Sequence, residues 1–226
     1  MSSQGSATSR ARRTQADRSA ATRDALVAGA RRLFAAQGFA EVSTDAIVAA
    51  AGVTRGALYH QFADKTALFE AVLAAVEADI AKRLAEEVAA AGISDPIEAL
   101  RYSLRTWLDI CVEPEILRIA LIDGPSVLGW THWREVCYLH VLGLVRTLVA
   151  QGIELGRIRP QPLMPLAHVL MGASDEAALY VAEAADRAQA RANMIEIFDQ
   201  LIQGLTRPAT QTGTDKGRRN SQSRLR

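Results

Sequence analysis

Apolar residues recur with a helical period along nearly the whole chain. Near its start, Leu26, Ala30, Leu33 and Phe34 fall at positions i, i+4, i+7 and i+8, so they lie on one face of a helix. Alternating apolar and polar runs, which are typical of strands, are scarce, and alanine is frequent throughout. The pattern predicts an all-α protein of about nine helices, with a small N-terminal three-helix head and a larger helical body.

Capping and turn residues divide the first part of the chain into short helices. Ser43 or Thr44 suits the N-cap of a second helix, and Gly52 closes that helix. Thr54 then caps a third short helix, and Asp64 caps a long fourth one. Two short helices joined by a tight glycine turn are typical of a helix-turn-helix.

Longer helices follow in the body. Asp95, which is followed by proline, starts the first of them, and the last two are predicted at about 163–185 and 188–205. A Gly-Pro break precedes the segment Pro125–Trp133. The sequence leaves open whether this segment gates a cavity or is a simple connection.

Charge is distributed unevenly over four predicted parts: a disordered basic arm (1–18), a helix-turn-helix domain (19–65), a ligand-binding and dimerisation domain (66–206) and a disordered basic tail (207–226). The arm and the helix-turn-helix domain together hold nine lysines and arginines against five aspartates and glutamates. The larger domain holds eleven against nineteen, and the tail holds six against one. A basic head on an acidic body indicates that the head meets an anionic partner.

The third predicted helix carries the candidate DNA-binding residues, because a helix that enters the major groove leads with its N-terminal residues. Thr54 is placed to bond a phosphate, and Arg55 can reach a guanine edge or a phosphate. Gly56 and Ala57 are small, so the backbone can approach the bases, and Ala57 can touch a thymine methyl group. Three further side chains are placed for phosphate contacts, on the flanks of this helix and at the start of the next: Tyr59, His60 and Lys65.

With these residues the chain resembles the TetR family of bacterial transcriptional regulators over about residues 22–70. The matching residues are Thr22, Arg23, Ala30, Leu33, Phe34, Gly38, Phe39, Val42, Ser43, Ile47, Ala51, Gly52, Val53, Thr54, Gly56, Leu58, Tyr59, Phe62, Lys65 and Leu68. The resemblance implies that Thr44 also meets DNA, together with Thr54, Arg55, Tyr59, His60 and Lys65. Gln61 departs from the family pattern, which usually has a histidine or an aromatic residue there.

The resemblance also implies partners. It implies a homodimer that binds double-stranded DNA at an inverted repeat, and an unidentified small-molecule effector that relieves repression. The small side chains of the last two helices favour close packing at a two-fold axis. The alternative is that these helices pack only within their own subunit. The candidate dimer residues are Ala167, Leu170, Ala173, Ala177, Val181, Phe198 and Leu201.

The middle of the body holds side chains suited to an apolar ligand cavity with a few polar groups. All three tryptophans fall between residues 100 and 140. The same residues could instead form a packed core without a cavity, and the sequence leaves both possibilities open. The candidate lining residues are Tyr102, Trp107, Cys111, Trp130, Trp133, Cys137, His140, His168 and Met171.

Other kinds of site are not expected. The sequence contains no nucleophile–base pair and no Gly-rich phosphate loop after a strand, so an enzyme and a cofactor are not predicted. The spacing of His132, Cys137 and His140 does not gather three ligands on one helical face, so no metal site is predicted. No run of about 18 apolar residues and no secretory signal is apparent, so no membrane partner is expected. We expect a cytoplasmic protein with reduced cysteines.

These observations predict a sequence-specific DNA-binding regulator. The favoured form is a homodimeric repressor that a small, largely apolar ligand releases from its operator. The alternative is a ligand-independent DNA-binding activator or architectural protein.

Overall fold

The computed structural model describes residues 15–206, and within that range nine helical segments make up almost the whole fold. They are α1 (Gln15–Gln37), α2 (Thr44–Ala51), α3 (Arg55–Gln61), α4 (Lys65–Ala90), α5 (Pro96–Ile110), α6 (114–128), α7 (Trp130–Glu154), α8 (Leu163–Glu183) and α9 (Arg187–Leu205). The described chain has no β-strand, only an isolated bridge between Ile158 and Thr206. The predicted all-α fold is therefore confirmed.

The predicted basic arm and tail fall largely outside the described residues. Residues 15–18, which were assigned to the arm, form the first turn of α1. Because this segment is helical, the arm prediction is wrong there.

Local capping explains where the short helices begin. The Ser43 hydroxyl accepts a hydrogen bond from the Ala46 N–H at 3.1 Å, so Ser43 is the cap of α2 and Thr44 is its first residue. The Thr54 hydroxyl accepts from the N–H three residues later at 3.2 Å, and the Asp64 carboxylate does the same at the start of α4 at 2.8 Å. Each cap satisfies one of the N–H groups that a helix N-terminus leaves unpaired.

A continuous apolar core joins the head to the body. Phe34 of α1, Phe39 of the α1–α2 connection and Phe69 of α4 form a cluster with ring centroids 5.3 to 5.6 Å apart. Helix α4 begins in the head and continues into the body, where it packs against α5 and α7. A second cluster of buried side chains fills the space between α5, α7, α8 and α9. The recognition elements therefore share their core with the body.

Helix α6 departs from regular α-helical geometry. It starts with the turn Pro114–Ile116, continues as a π-helix over Leu117–Asp123 and ends as the α-helix Gly124–Leu128. π-Helical segments are rare, and their wider turn leaves some carbonyl groups free for other donors. One such carbonyl, that of Ala120, accepts the indole N–H of Trp133 at 2.8 Å.

Gly124 permits this packing, because a Cβ atom there would lie 2.7 Å from Cδ1 of Trp133 and 3.2 Å from the carbonyl oxygen of Ile119. We expect Gly124→Ala to lower the free energy of unfolding by about 1–3 kcal/mol, since a rigid indole and a backbone atom must move. Urea denaturation measures the loss. Gly152→Ala is the matched control: its Cβ would also come within 2.7 Å of a neighbour, but that neighbour is the flexible end of Ile158. Equal losses in the two variants would contradict the argument.

Helix α7 is long and carries many apolar residues. By length and composition it could cross a membrane, with a mean hydropathy of 1.5 over its most apolar window. The expectation that no segment has this composition is therefore wrong. The helix packs against α4, α5 and α8 and carries the buried residues Trp133, Val136 and Cys137. This packing buries 33% of its most apolar window.

Candidate nucleic-acid interface and ligand cavity

Helices α2 and α3 form the predicted helix-turn-helix. Gly52 turns the chain between them with φ +66°, a conformation that favours glycine. Ile47 of α2 and Leu58 of α3 are fully buried in the head core. Because the buried side of α3 is anchored by Leu58, its other residues are left at the surface.

The exposed side of α3 presents most of the predicted DNA-binding residues. Thr54, Arg55, Gly56, Tyr59 and His60 are exposed, whereas Ala57 and Thr44 are half-buried. A Cβ atom on Gly56 would meet only the Thr54 hydroxyl, at 3.9 Å, so the space beside this glycine is open. The structure thus leaves the N-terminal half of α3 free to approach a partner closely.

Arg55 is held in place without being buried. Its Nη1 lies 3.2 Å from Oδ1 of Asp45, and its guanidinium lies 5.8 Å from the centroid of the Tyr59 ring. Both members of this ion pair are largely exposed, so the pair contributes little to stability and a phosphate can replace the aspartate. Arg55 is therefore positioned at the surface and available for DNA.

Gln61, which departs from the family pattern, has a structural partner. Its side-chain amide donates to the Ser19 hydroxyl at 2.7 Å and so ties α3 to the start of α1. A shallow polar groove runs between these helices, and Arg18, Thr22 and His60 lie along it. The groove places a cation of α1 beside the predicted recognition helix.

Lys65 lies differently from the prediction. Its ammonium group donates to the carbonyl oxygens of Phe39 at 2.8 Å and Val42 at 3.0 Å, and it lies 4.1 Å from the centroid of the Phe39 ring. These contacts hold the α1–α2 connection against the start of α4. In this structure the ammonium group of Lys65 bonds two carbonyl groups of the protein, and its phosphate contact stays a prediction.

We expect Lys65→Met to lower the free energy of unfolding by about 1–3 kcal/mol, because two hydrogen bonds to a charged donor are lost. The salt dependence of DNA binding should stay unchanged, since no phosphate contact is removed. Chemical denaturation and binding titrations at several salt concentrations measure the two effects. Lys82→Met, which changes an exposed lysine of the same helix, is the control. A flatter salt dependence with unchanged stability would restore the phosphate assignment.

The body contains an internal cavity between α4, α5, α7, α8 and α9. The space that the centre of a water-sized sphere can occupy is about 60 Å³. Its wall is mostly apolar, but it includes two carboxyl groups, Glu77 of α4 and Asp175 of α8. Glu77 is 4% exposed, and Oε1 accepts from the Cys137 thiol at 3.3 Å.

Burial dominates the electrostatics of this cavity. It raises the pKa of Glu77 to about 7, an effect opposed by the hydrogen bond from Cys137 and enhanced by the nearby Asp175. It also raises the pKa of Asp175 to about 7, although the charge of Arg134 acts in the other direction. The pKa of the Cys137 thiol is raised for the same reason, so the thiol stays protonated. Both carboxyl groups therefore lack a full counter-charge.

Four of the nine predicted cavity residues lie in its wall: Trp107, Trp133, Cys137 and Met171. The other five, Tyr102, Cys111, Trp130, His140 and His168, do not line it. Tyr102 bonds Glu87, Cys111 is buried in the second core cluster, Trp130 is exposed, and His168 stacks on Tyr138. Helical faces are broad, so the sequence pattern does not distinguish the cavity side of a helix from its other apolar positions.

The two cavity carboxyls are the functional candidates that the sequence reasoning missed. A signal existed, because Glu77 shares the helical face of Leu73, Ile80 and Leu84, which are all buried. A charged residue at an apolar position is unusual unless it is paired or functional. The described residues contain no group of three side chains suited to a metal ion.

The predicted dimer residues are mostly core residues of the subunit. Ala167, Leu170, Ala177, Val181 and Phe198 are buried, and two of them, Leu170 and Phe198, line the cavity. In the single subunit these five side chains have almost no surface left for a partner. Ala173 is half-buried and Leu201 is exposed.

Comparison with known proteins agrees with this architecture. Residues 26–72 match the family model described as bacterial regulatory proteins, tetR family. Residues 97–205 match the tetracyclin repressor-like C-terminal domain. The HTH-type transcriptional repressor AcnR of Corynebacterium efficiens is 30% identical over 160 residues, which cover 69% of this chain and 78% of AcnR. The chain belongs to the TetR family.

Solved structures of TetR-family proteins share the fold. A TetR-family transcriptional regulator from Pectobacterium atrosepticum is 33% identical, with a TM-score of 0.72 over 86% of this chain and 98% of that protein. RolR in complex with resorcinol is 22% identical, with a TM-score of 0.67 over 84% of this chain and 95% of RolR. The TetR-family protein described here is a DNA-binding transcriptional regulator, and the relatives that it matches are regulators rather than enzymes.

Proposed function

We propose that this TetR-family protein is a homodimeric repressor that binds an inverted repeat and leaves it when a small ligand fills the body cavity. The observation that carries the proposal is the pairing of an open recognition helix with a cavity whose wall includes α4. Helix α4 begins directly after α3 and reaches the cavity at Glu77. One rigid element thus joins the two sites.

Five residues of the head support the DNA-binding half of the proposal: Thr54, Arg55, Gly56, Tyr59 and His60. In the proposed complex α3 enters the major groove, the Gly56 backbone approaches the bases and Arg55 exchanges Asp45 for a base edge or a phosphate. The Thr54 hydroxyl accepts the capping bond and still has its own hydrogen to donate. Ala57 and Thr44, which are half-buried, contribute only their exposed atoms.

An exposed apolar face on α8 and α9 supports the dimer. We infer that it comprises Val169 and Tyr180, which share one side of α8 by their spacing, and Ile197 and Leu201, which share one side of α9. All four are exposed in the single subunit. Large exposed apolar side chains gathered on one surface are typical of an interface. TetR-family regulators function as dimers, so we assign this face to a second copy of the chain.

The dimer assignment predicts the effect of a charge on this face. Ile197→Glu should give a monomer, because two carboxylates would be buried at an isologous contact. Its affinity for a full operator should fall, since each half-site is then read separately. Leu139→Glu on α7, whose side chain is also exposed, is the control. Sedimentation equilibrium measures both variants, and a dimeric Ile197→Glu protein would contradict the assignment.

The π-helix of α6 connects the cavity to the head in the proposed mechanism. Trp133 of the cavity wall bonds the Ala120 carbonyl inside this helix. Asp123 at its end accepts the Phe39 N–H at 2.8 Å. A second link joins Arg31 of α1 to Glu115 of α6 through two hydrogen bonds of 2.8 Å. A ligand that moves the Trp133 ring therefore acts on the base of the head.

The energetics of release set a requirement on the ligand. A hundredfold loss of operator affinity needs about 2.7 kcal/mol of coupling between the two sites. The protein has one conformation that binds DNA and one that does not. The ligand must bind the second more tightly than the first by about that free energy. A DNA-binding regulator of this kind acts where a bacterium keeps its chromosome, so we place it in the cytoplasm.

Selection of genomic DNA fragments by the purified protein at about 150 mM salt tests the proposal, since weak electrostatic binding fades there. We expect an enriched inverted repeat whose half-sites lie on one face of the duplex. An enriched site without symmetry would overturn the dimeric reading. Binding that no ligand of the cavity weakens would instead favour a ligand-independent activator or architectural protein.

A further inference from the structure

The polar side chains that line the cavity leave more hydrogen-bond acceptors than donors without a partner. Among the lining side chains, the donors are almost all used within the protein. The indole N–H of Trp107 donates to the Ser174 carbonyl at 3.1 Å, and that of Trp133 donates to Ala120. The Ser174 hydroxyl donates to the Leu170 carbonyl at 2.9 Å, and the Cys137 thiol donates to Glu77.

The acceptors of the cavity, by contrast, are hardly used. Glu77 accepts only the weak thiol donor of Cys137. Asp175 makes no hydrogen bond or ion pair with another residue in the described part of the chain, and Arg134 is the one cation whose charge acts on it there. The buried Ser103 hydroxyl, which also lines the cavity and can either donate or accept, has no partner within residues 15–206. A ligand that completes these bonds must therefore be mainly a donor.

Charge narrows the ligand class further. Among residues 15–206, two carboxyl groups line the cavity but no lysine, arginine or histidine does. An anionic ligand would meet like charges in a low-dielectric site, which is strongly unfavourable. A protonated amine supplies both the missing counter-charge and up to three hydrogen-bond donors. The raised pKa of each carboxyl agrees with this, since it records the absence of a counter-charge.

Size and shape define the rest of the ligand. Because the indole N–H groups of Trp107 and Trp133 are occupied, these residues offer ring surface, which attracts both aromatic rings and cations. The cavity volume of about 60 Å³ is enough for several water molecules or for one small ring. The apolar remainder of the wall, including Leu104, Leu144 and Met171, fits such a ring.

We propose that the effector of this cavity is a small, single-ring molecule that carries a protonated amine, held by the carboxyl groups of Glu77 and Asp175. The inference rests on the proposed function, because it names the ligand class of that same cavity. It also makes Glu77 the residue through which the ligand holds α4, the helix that continues from the recognition helix.

Three ligands of matched size test the inference: benzylamine (a cation), benzyl alcohol (neutral) and benzoate (an anion). Binding to the full-length protein without DNA is measured at pH 7.5 by calorimetry and by the fluorescence of the cavity tryptophans. We expect benzylamine to bind about tenfold more tightly than benzyl alcohol, because hydrogen bonds to charged groups are the stronger ones. Benzoate should not bind. Equal binding of the amine and the alcohol, or tighter binding of benzoate, would overturn the inference.

Variants locate the amine. Glu77→Gln and Asp175→Asn keep the shape of the side chain and remove its charge, so each should weaken benzylamine binding about tenfold and leave benzyl alcohol nearly unaffected. Glu86→Gln, at an exposed position of α4, is the matched control. Thermal unfolding checks that each variant is folded. If both folded variants bind benzylamine as the parent protein does, the carboxyl groups do not hold the ligand and the inference is wrong.

Operator binding is measured separately, so that the two proposals can fail independently. If the protein binds an operator but shows no preference for benzylamine, the proposed ligand class is wrong and the repressor proposal stands. A protein that binds benzylamine through Glu77 but selects no operator overturns the repressor proposal alone.

Discussion

Replacing Gly56 with leucine should reduce operator affinity by about 30-fold or more while leaving the fold intact. A side chain at this position meets nothing within the protein except the Thr54 hydroxyl, at 3.9 Å from the new Cβ. In the proposed complex, however, the same space is filled by DNA. Overpacking costs about 1–3 kcal/mol at each recognition helix, and a dimer carries two of them. The sum, about 2–6 kcal/mol, corresponds to a loss of about 30-fold to 20,000-fold in affinity.

The same substitution should slightly raise the thermal stability of the protein. Leucine is the better helix former by somewhat under 1 kcal/mol, so Gly56→Leu should unfold at a slightly higher temperature than the parent protein. Fluorescence anisotropy with a selected operator measures affinity, and calorimetry measures unfolding. Gly143→Leu is the control, because a side chain on that glycine of α7 also enters open space. Unchanged operator affinity in Gly56→Leu would show that this face of α3 does not approach DNA.

The second large effect concerns the dependence of stability on pH. The pKa of Glu77 is raised from 4.5 to about 7 in the folded protein, and that of Asp175 from 3.8 to about 7. As the pH rises from about 4 to 7, the unfolded chain releases these protons, whereas the folded chain retains them. Because the folded state binds more protons, the free energy of unfolding falls as the pH rises through this window. For Glu77 alone the loss is about 3 kcal/mol at pH 8.

Glu77→Gln should remove this loss. The variant should be more stable than the parent protein by up to about 3 kcal/mol at pH 8, and the two should be nearly equal at pH 4, where the parent carboxyl is neutral. Urea denaturation at both pH values measures the difference, with Glu86→Gln as the exposed control. The groups that face Glu77, namely Cys137, Asp175 and the more distant Arg134, are unchanged in this experiment. If Glu77→Gln is less stable than the parent protein by the same amount at pH 8 and at pH 4, Glu77 does not cause the pH dependence.

The stability cost of the buried carboxyl group and the preference of the cavity for a cation have the same cause. A carboxyl group that costs stability in the empty cavity becomes a favourable partner when a cation arrives, so the same feature disfavours the empty state and selects the ligand. Buried charges that are unpaired are more often explained by function than by stability. Benzylamine should therefore raise the stability of the parent protein at pH 8 and have little effect on Glu77→Gln.

Several features could be predicted from local sequence alone. Gly52 and the caps Thr54 and Asp64 act through hydrogen bonds and dihedral angles within a few residues, so their positions determine where α3 and α4 begin. Spacing likewise places Leu58 on the buried side of α3 and Arg55 and Tyr59 on its exposed side. The all-α fold and the helix-turn-helix followed from these short-range rules. The DNA contacts of this helix remain predictions.

The tertiary structure decided the features that depend on distant parts of the chain. Lys65 sits at a helix start that favours an anion, but the Phe39 and Val42 carbonyls reach its ammonium group first. Ala167 and Val181 have side chains suited to a dimer contact, yet neighbouring helices of the same subunit cover them. Glu77 and Asp175 are far apart in sequence and meet only because α4 and α8 face the same cavity.

The physical reason is the range over which each interaction acts. Caps, turns and helical periods involve neighbours along the chain, so the sequence by itself determined the helices and the recognition motif. Which apolar face turns inward, and which charge is left without a partner, depends on the packing of helices from distant segments. For this protein the helices of the head could therefore be predicted from its residues. Which side chains line the cavity, its two carboxyl groups among them, and which face of α8 and α9 stays exposed were decided only by the folded structure.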